Sequence, residues 1–244
     1  MTGFATPAGR EVETMLLLDV TGSMNYGTSD TDSTPRKDIV REAISSIVSR
    51  LAKLDSQGAH EAEGGGLRTV TFAGGRATDL DDLNPGNLQK KWSSIKWAGG
   101  TKIMPGMIVV RRTHAHERSI HVERSIHVLI HAFARALSLG WKMLMDVYNE
   151  EFGSRPPAAQ PVLMALVITD GEADDVDQLI SALSHLPSHF FVVFAIVGYG
   201  DEAAGVYREY ANLAARNQQV RALSFSSETD PSKIANALIQ LSGI

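Results

Sequence analysis

Short apolar runs alternate with amphipathic stretches along most of this chain, and that alternation leaves few folds open. The runs are Thr14–Val20 (TMLLLDV), Leu67–Ala73, Val162–Thr169, Phe190–Val197 and Val220–Phe225. The most apolar of them, such as Thr14–Val20, are too short for a helix and look like a strand of a parallel sheet with both faces covered. Between the runs the periodicity changes to that of a helix. Ser33 or Thr34 precedes Pro35, a cap followed by a first-turn proline, and Ile39, Val40, Ala43, Ile44, Ile47, Val48 and Leu51 then fall on one face. Helices are likewise predicted over Asn84–Ile95, Ala173–Leu186, Asp201–Asn217 and Pro231–Leu241. Gly74-Gly75 suits a tight hairpin, so Arg76–Leu80 is expected to return as a short antiparallel edge. The predicted architecture is a three-layer, Rossmann-like α/β fold: an open, mostly parallel sheet with helices on both faces.

The 244 residues are enough for one such domain, placed here at residues 12–244 after a tail of residues 1–11. The chain holds no Cys, which excludes thiolate catalysis and Cys-based metal sites and fits a reducing, cytoplasmic setting. Its formal charge of −5 argues against a generic nucleic-acid binder, which needs a basic face for phosphates. No basic, apolar leader opens the sequence, and the longest strongly apolar run, Phe190–Val197, is far short of a bilayer span.

In open parallel sheets, ligands gather beyond the carboxyl ends of the strands. Two predicted strands end in aspartate there, at Leu18-Asp19 and Thr169-Asp170. The turn Asp19-Val20-Thr21-Gly22-Ser23 adds two hydroxyls at alternating positions, and Gly99-Gly100-Thr101 offers a third on another loop. A set of oxygens with few anionic groups suits a hard cation, and Mg²⁺ keeps part of its water shell in such sites. Taken singly, the aspartates can simply end strands and the hydroxyls can cap helices. Glu172 and Asp174 lie in the first turn after a strand, where negative charge suits a helix N-terminus, and are read as capping or solvated residues.

The segments DVTGSM, GGT and ITDGE, in this order on alternating strands and helices, resemble the von Willebrand factor A (vWA) domain and its metal-ion-dependent adhesion site. The resemblance covers about residues 12–243 and is carried by all three segments together. It implies Asp19, Thr21, Ser23, Thr101 and Asp170 as the metal set, with Thr21 where the family more often has Ser. It further implies Mg²⁺, with Mn²⁺ or Ca²⁺ as alternatives, and a partner protein that offers an Asp or Glu carboxylate to the ion. No enzymatic role is expected. The competing readings are a Mg²⁺-dependent phosphoryl-transfer enzyme using Asp19 as nucleophile and a scaffold domain that needs no metal. The first lacks an evident proton donor, because position 21 is Thr where the haloacid-dehalogenase pattern has a second Asp. Partner identity and oligomeric state are not readable from the sequence.

Residues 107–140 are foreign in composition. They hold five of the eight His, five Arg against two Glu, and an immediate duplication, ERSIHV at 117–122 and 123–128. If Gly106 is joined to Trp141, then Met104, Trp141, Met145, Tyr148 and Phe152 form one helical face. The stretch is therefore read as an atypical insertion, with a retained intron or gene-model error as one origin and a partner-binding insertion as another. Its His residues, at sixfold spacing in the repeat and without Cys, do not share a helical face and make a poor metal site.

Overall fold

The computed structural model describes residues 4, 9–56, 66–98, 136–171 and 181–243. Six strands form one sheet: β1 (Val12–Asp19), β2 (Leu67–Ala73), β3 (Arg76–Leu83), β4 (Val162–Thr169), β5 (Phe190–Gly198) and β6 (Val220–Ser226). Their spatial order is β3-β2-β1-β4-β5-β6, with every pair parallel except the antiparallel edge pair β2–β3. The α-helices that lie wholly within the described residues are α1 (Arg36–Ser56), α2 (Leu88–Ser94), α3 (Ala136–Phe152), α4 (Gly200–Arg216) and α5 (Pro231–Ser242). The predicted three-layer α/β architecture, with one antiparallel edge, is the one observed.

Alternation along the central strands explains why they are apolar throughout. On β1, Leu16 and Leu18 point with Met164, Leu166 and Ile168 of β4 into a core closed by α1, α2 and α5. Met15 and Leu17 point the other way, with Leu163, Ala165 and Val167, into a core closed by α3 and α4. With both faces covered, neither set of side chains meets water, so no polar position is left in the pattern. The α1 face read from the sequence is in place, with Val40, Ala43, Ile44, Ile47 and Val48 buried. Helix α5 begins on Pro231, with the Asp230 carboxylate accepting from the Ser232 N–H at 2.9 Å, and ends at Gly243 in the left-handed region (φ 77°).

Three elements differ from expectation. β3 runs on to Leu83, through a segment (Thr78-Asp79-Leu80-Asp81-Asp82) whose charges disguise it. Arg68 on β2 offsets them, bonding to Asp79 and lying 3.8 and 3.9 Å from Asp81 and Asp82. A register irregularity between Arg68 and Val70 and a positive φ at Asp81 (55°) mark the distortion. Helix α2 is shorter than predicted. Helix α3 starts at Ala136, five residues before the junction drawn from composition, and Leu137, Trp141, Leu144, Tyr148 and Phe152 form its buried face. Gly140 lies against the sheet so closely that an added Cβ would stand 2.7 Å from Leu17 Cδ1 and 3.1 Å from Phe72 Cβ. The remainder of the foreign stretch, 107–135, lies outside the described residues, as do residues 173–180 of the helix expected at Ala173–Leu186.

Among the described residues of the segment read as a tail, Phe4 and Arg10 reach the domain. Phe4 meets the Phe191 ring at a centroid distance of 4.8 Å, and Arg10 donates from Nε to the Gln160 carbonyl at 3.0 Å.

Candidate metal centre

β1 and β4 are parallel neighbours in register, Leu18 beside Ile168, so their last residues emerge side by side at the same rim of the sheet. That register brings Asp19 and Asp170 together across about 150 residues of sequence. Both residues are buried, at 3% exposure each. After β1 the chain turns through a short 3-10 segment, Gly22–Asn25, anchored in the core by Met24. The turn carries the Thr21 and Ser23 hydroxyls over the aspartates.

Short contacts through side chains and one backbone N–H link the four residues. Asp19 Oδ1 accepts from the Thr21 N–H at 2.8 Å, and Asp19 Oδ2 accepts from Thr169 Oγ1 at 2.7 Å. Thr21 Oγ1 and Ser23 Oγ lie 2.9 Å apart, and Ser23 Oγ donates to Asp170 Oδ1 at 2.8 Å. Four of the five residues named from the sequence are thus gathered; Thr101, like Glu172 and Asp174, lies outside the described residues.

Two buried carboxylates so close together resist ionising together. Burial first, and the Asp170 charge second, push the Asp19 carboxyl up to about 6, against the opposing effect of the Thr169 and Thr21 hydrogen bonds. Burial also raises Asp170, opposed chiefly by Arg36 and by the Ser23 hydroxyl.

Arg36 is the residue that sequence reasoning missed. Its Nη1 donates to Asp170 Oδ2 at 2.6 Å, and the ion pair is buried. The same guanidinium donates from Nε to the Gly27 carbonyl at 3.2 Å and lies 5.6 Å from the Tyr199 ring centroid. In sequence, Arg36 is only the polar residue that opens an amphipathic helix, and nothing local ties it to a carboxylate 134 positions away. A search for the counter-charge of two converging strand-end aspartates is the one signal that points to it.

The donor chemistry fits a hard divalent cation: two carboxylates and two hydroxyls, all oxygen. Among the described residues no group of three or more His, Cys, Asp or Glu side chains is arranged to hold a metal ion. A cation at this rim would therefore draw on hydroxyls and water as much as on carboxylates. Nearby, Trp92 and Trp97 pack with ring centroids 5.1 Å apart, and Lys37 Nζ lies 5.7 Å from the centroid of Trp97. His185 makes a local contact with the Ser181 carbonyl at 3.0 Å, and His189 is buried beside Phe190, just before β5.

No protein-family model matches the chain, and no curated protein does. Solved structures match its fold. The PilB minor pilin from Streptococcus sanguinis is similar at TM-score 0.53 and 11% identity, over 97% of this chain and 62% of that one. The VWA domain of SpRpn10 is similar at TM-score 0.50 and 12% identity, over 96% of this chain and 98% of that one. The chain thus has a vWA-like three-layer α/β fold, and it spans about three-fifths of the pilin's length. Among the described residues no helix is long and apolar enough to cross a membrane.

Proposed function

We propose that this chain is a protein-binding module of the vWA type that presents a divalent cation, Mg²⁺ in the first instance, to an Asp or Glu carboxylate of a partner protein inside the cell. Asp19, Thr21, Ser23 and Asp170 would hold the ion, with Thr101 as the fifth residue of the set. The cation would supply a Lewis-acidic point at the rim of the sheet to which an anionic oxygen from outside can bind. The observation that supports this reading above all is the junction of Ser23 Oγ with Asp170 Oδ1 at 2.8 Å and with Thr21 Oγ1 at 2.9 Å, because it unites two distant chain segments in one oxygen-lined rim.

A second reading, a scaffold that needs no metal, draws on the Arg36–Asp170 ion pair, which already gives one carboxylate a cationic partner. Magnesium titration by calorimetry, comparing the parent with Asp19→Ala, separates the two. Heat of binding in the parent, lost in the variant, together with a partner recovered by pull-down only without chelator, is the result expected of the cation-dependent module. Absence of heat in both proteins would favour the scaffold.

A further inference from the structure

We propose that Arg36 is a built-in counter-charge that competes with the divalent cation for Asp170 and so holds down the affinity of the site for the ion. This inference rests on the cation-dependent reading above.

Arg36 is no stray surface arginine. It is 7% exposed, and its guanidinium sits in a slot made by separate chain segments. The Gly27 carbonyl accepts from Nε, the Tyr199 ring lies alongside, and the Gly198 backbone closes the slot. At Gly198 the backbone has φ 126°, and an added Cβ would stand 3.4 Å from the guanidinium carbon, so glycine serves both the conformation and the space.

The pairing divides Asp170 in two. Oδ1 takes the Ser23 hydroxyl and faces the proposed donor set; Oδ2 is held by Arg36. With the guanidinium in place, the two ionised aspartates carry one negative charge less between them and their partner, while Glu202 adds a further acidic neighbour to Asp170. A divalent ion bound by Asp170 would then lie close to a fixed positive charge in a poorly screened setting, where like charges repel strongly. The same arginine lowers the cost of keeping two buried aspartates together when no ion is bound. Arg36 is thus a positioning residue with opposite effects on the two states. It supports the metal-free fold and weakens the metal-bound one, so that a partner's carboxylate, adding negative charge, is needed for tight occupancy.

The test uses the full chain and Mn²⁺ as probe, by titration calorimetry and by thermal melting with and without the metal. Arg36→Gln, which keeps an amide donor but no charge, is expected to bind Mn²⁺ about tenfold or more tighter than the parent. It should also melt lower in EDTA. Arg36→Lys, which keeps the charge, should stay within about threefold of the parent, and adding Asp170→Asn to Arg36→Gln should erase the gain. Binding by Arg36→Gln alone, with none detected in the parent, also supports the proposal. Equal or weaker binding by Arg36→Gln beside a parent that binds overturns the proposal and leaves the cation site standing. No binding by either protein removes both. If Arg36→Gln unfolds in EDTA, refolding on Mn²⁺ supports the proposal, and failure to refold overturns it.

Discussion

Asp19→Asn should make this protein more stable, and only above a definite pH. The carboxyl has an ordinary value of 3.8 and is pushed up to about 6 in the fold. Well below that ordinary value it is protonated in folded and unfolded chains alike. As pH rises from about 4 through 6 the unfolded chain ionises first, so stability is lost across that window and stays lost above it. The shift of about two units corresponds to about 3 kcal/mol, and the group is fully buried, so solvent does not screen this away. Asparagine cannot accept at both positions where Asp19 accepts, from Thr21 N–H and Thr169 Oγ1, and that mismatch costs about 1 kcal/mol. The net expectation is a variant about 2 kcal/mol more stable than the parent at about pH 7.5 in EDTA. Urea unfolding of both proteins at about pH 4 and about pH 7.5 measures the difference, which includes the easier ionisation of Asp170 once the Asp19 charge is gone. Saturating Mg²⁺ should close the gap, since a ligand at about a hundred times its Kd adds about 2.7 kcal/mol to the protein that binds it. A variant less stable than the parent at the higher pH in EDTA, or a difference that does not change with pH, would refute the reasoning.

Gly140→Ala tests the packing of α3. Alanine normally improves a helix by about 1 kcal/mol, but here its Cβ would press on Leu17 and Phe72, and overpacking costs about 1–3 kcal/mol. A net loss near ~1 kcal/mol is expected in urea unfolding, abolished in a Leu17→Ala background; a gain in the parent background contradicts the packing. Tyr148→Phe removes the only donor this side chain offers, a hydroxyl buried at 2.7 Å from the Pro161 carbonyl, and should cost about 1–2 kcal/mol. Unchanged stability by the same assay would show that the carbonyl finds another partner.

Much of this fold is legible in the sequence because burial on both faces leaves a plain signature. β1, β4 and β5 are almost wholly apolar, and no competing element produces runs like Val162–Ile168. The gathering of Asp19, Thr21, Ser23 and Asp170 is legible too, since strand-end aspartates in parallel neighbours must meet at one rim. β3 is harder to see, because its aspartates are tolerated only through Arg68 on the adjacent strand, a pairing that a short stretch of sequence does not announce. The start of α3 is hidden for a different reason. Leu137 and Gly140 belong to a stretch whose histidines and arginines set it apart, and composition does not distinguish a packed first turn from the residues before it. Arg36 is concealed most fully. Its placement depends on a loop that closes with Gly27 and Pro35 in a bridge and swings the start of α1 over Asp170.

The two outer strands of the sheet do not invite company equally. β3 bears Asp79, Asp81 and Asp82 on a kinked ribbon, and an incoming backbone from a second molecule would have to settle among those charges. β6 closes the opposite side with Val220, Leu223 and Phe225 on a regular ribbon that carries no acidic residue. Self-association by strand addition is accordingly discouraged at one end of the sheet by charge and irregularity, and any added strand would meet less resistance at the other.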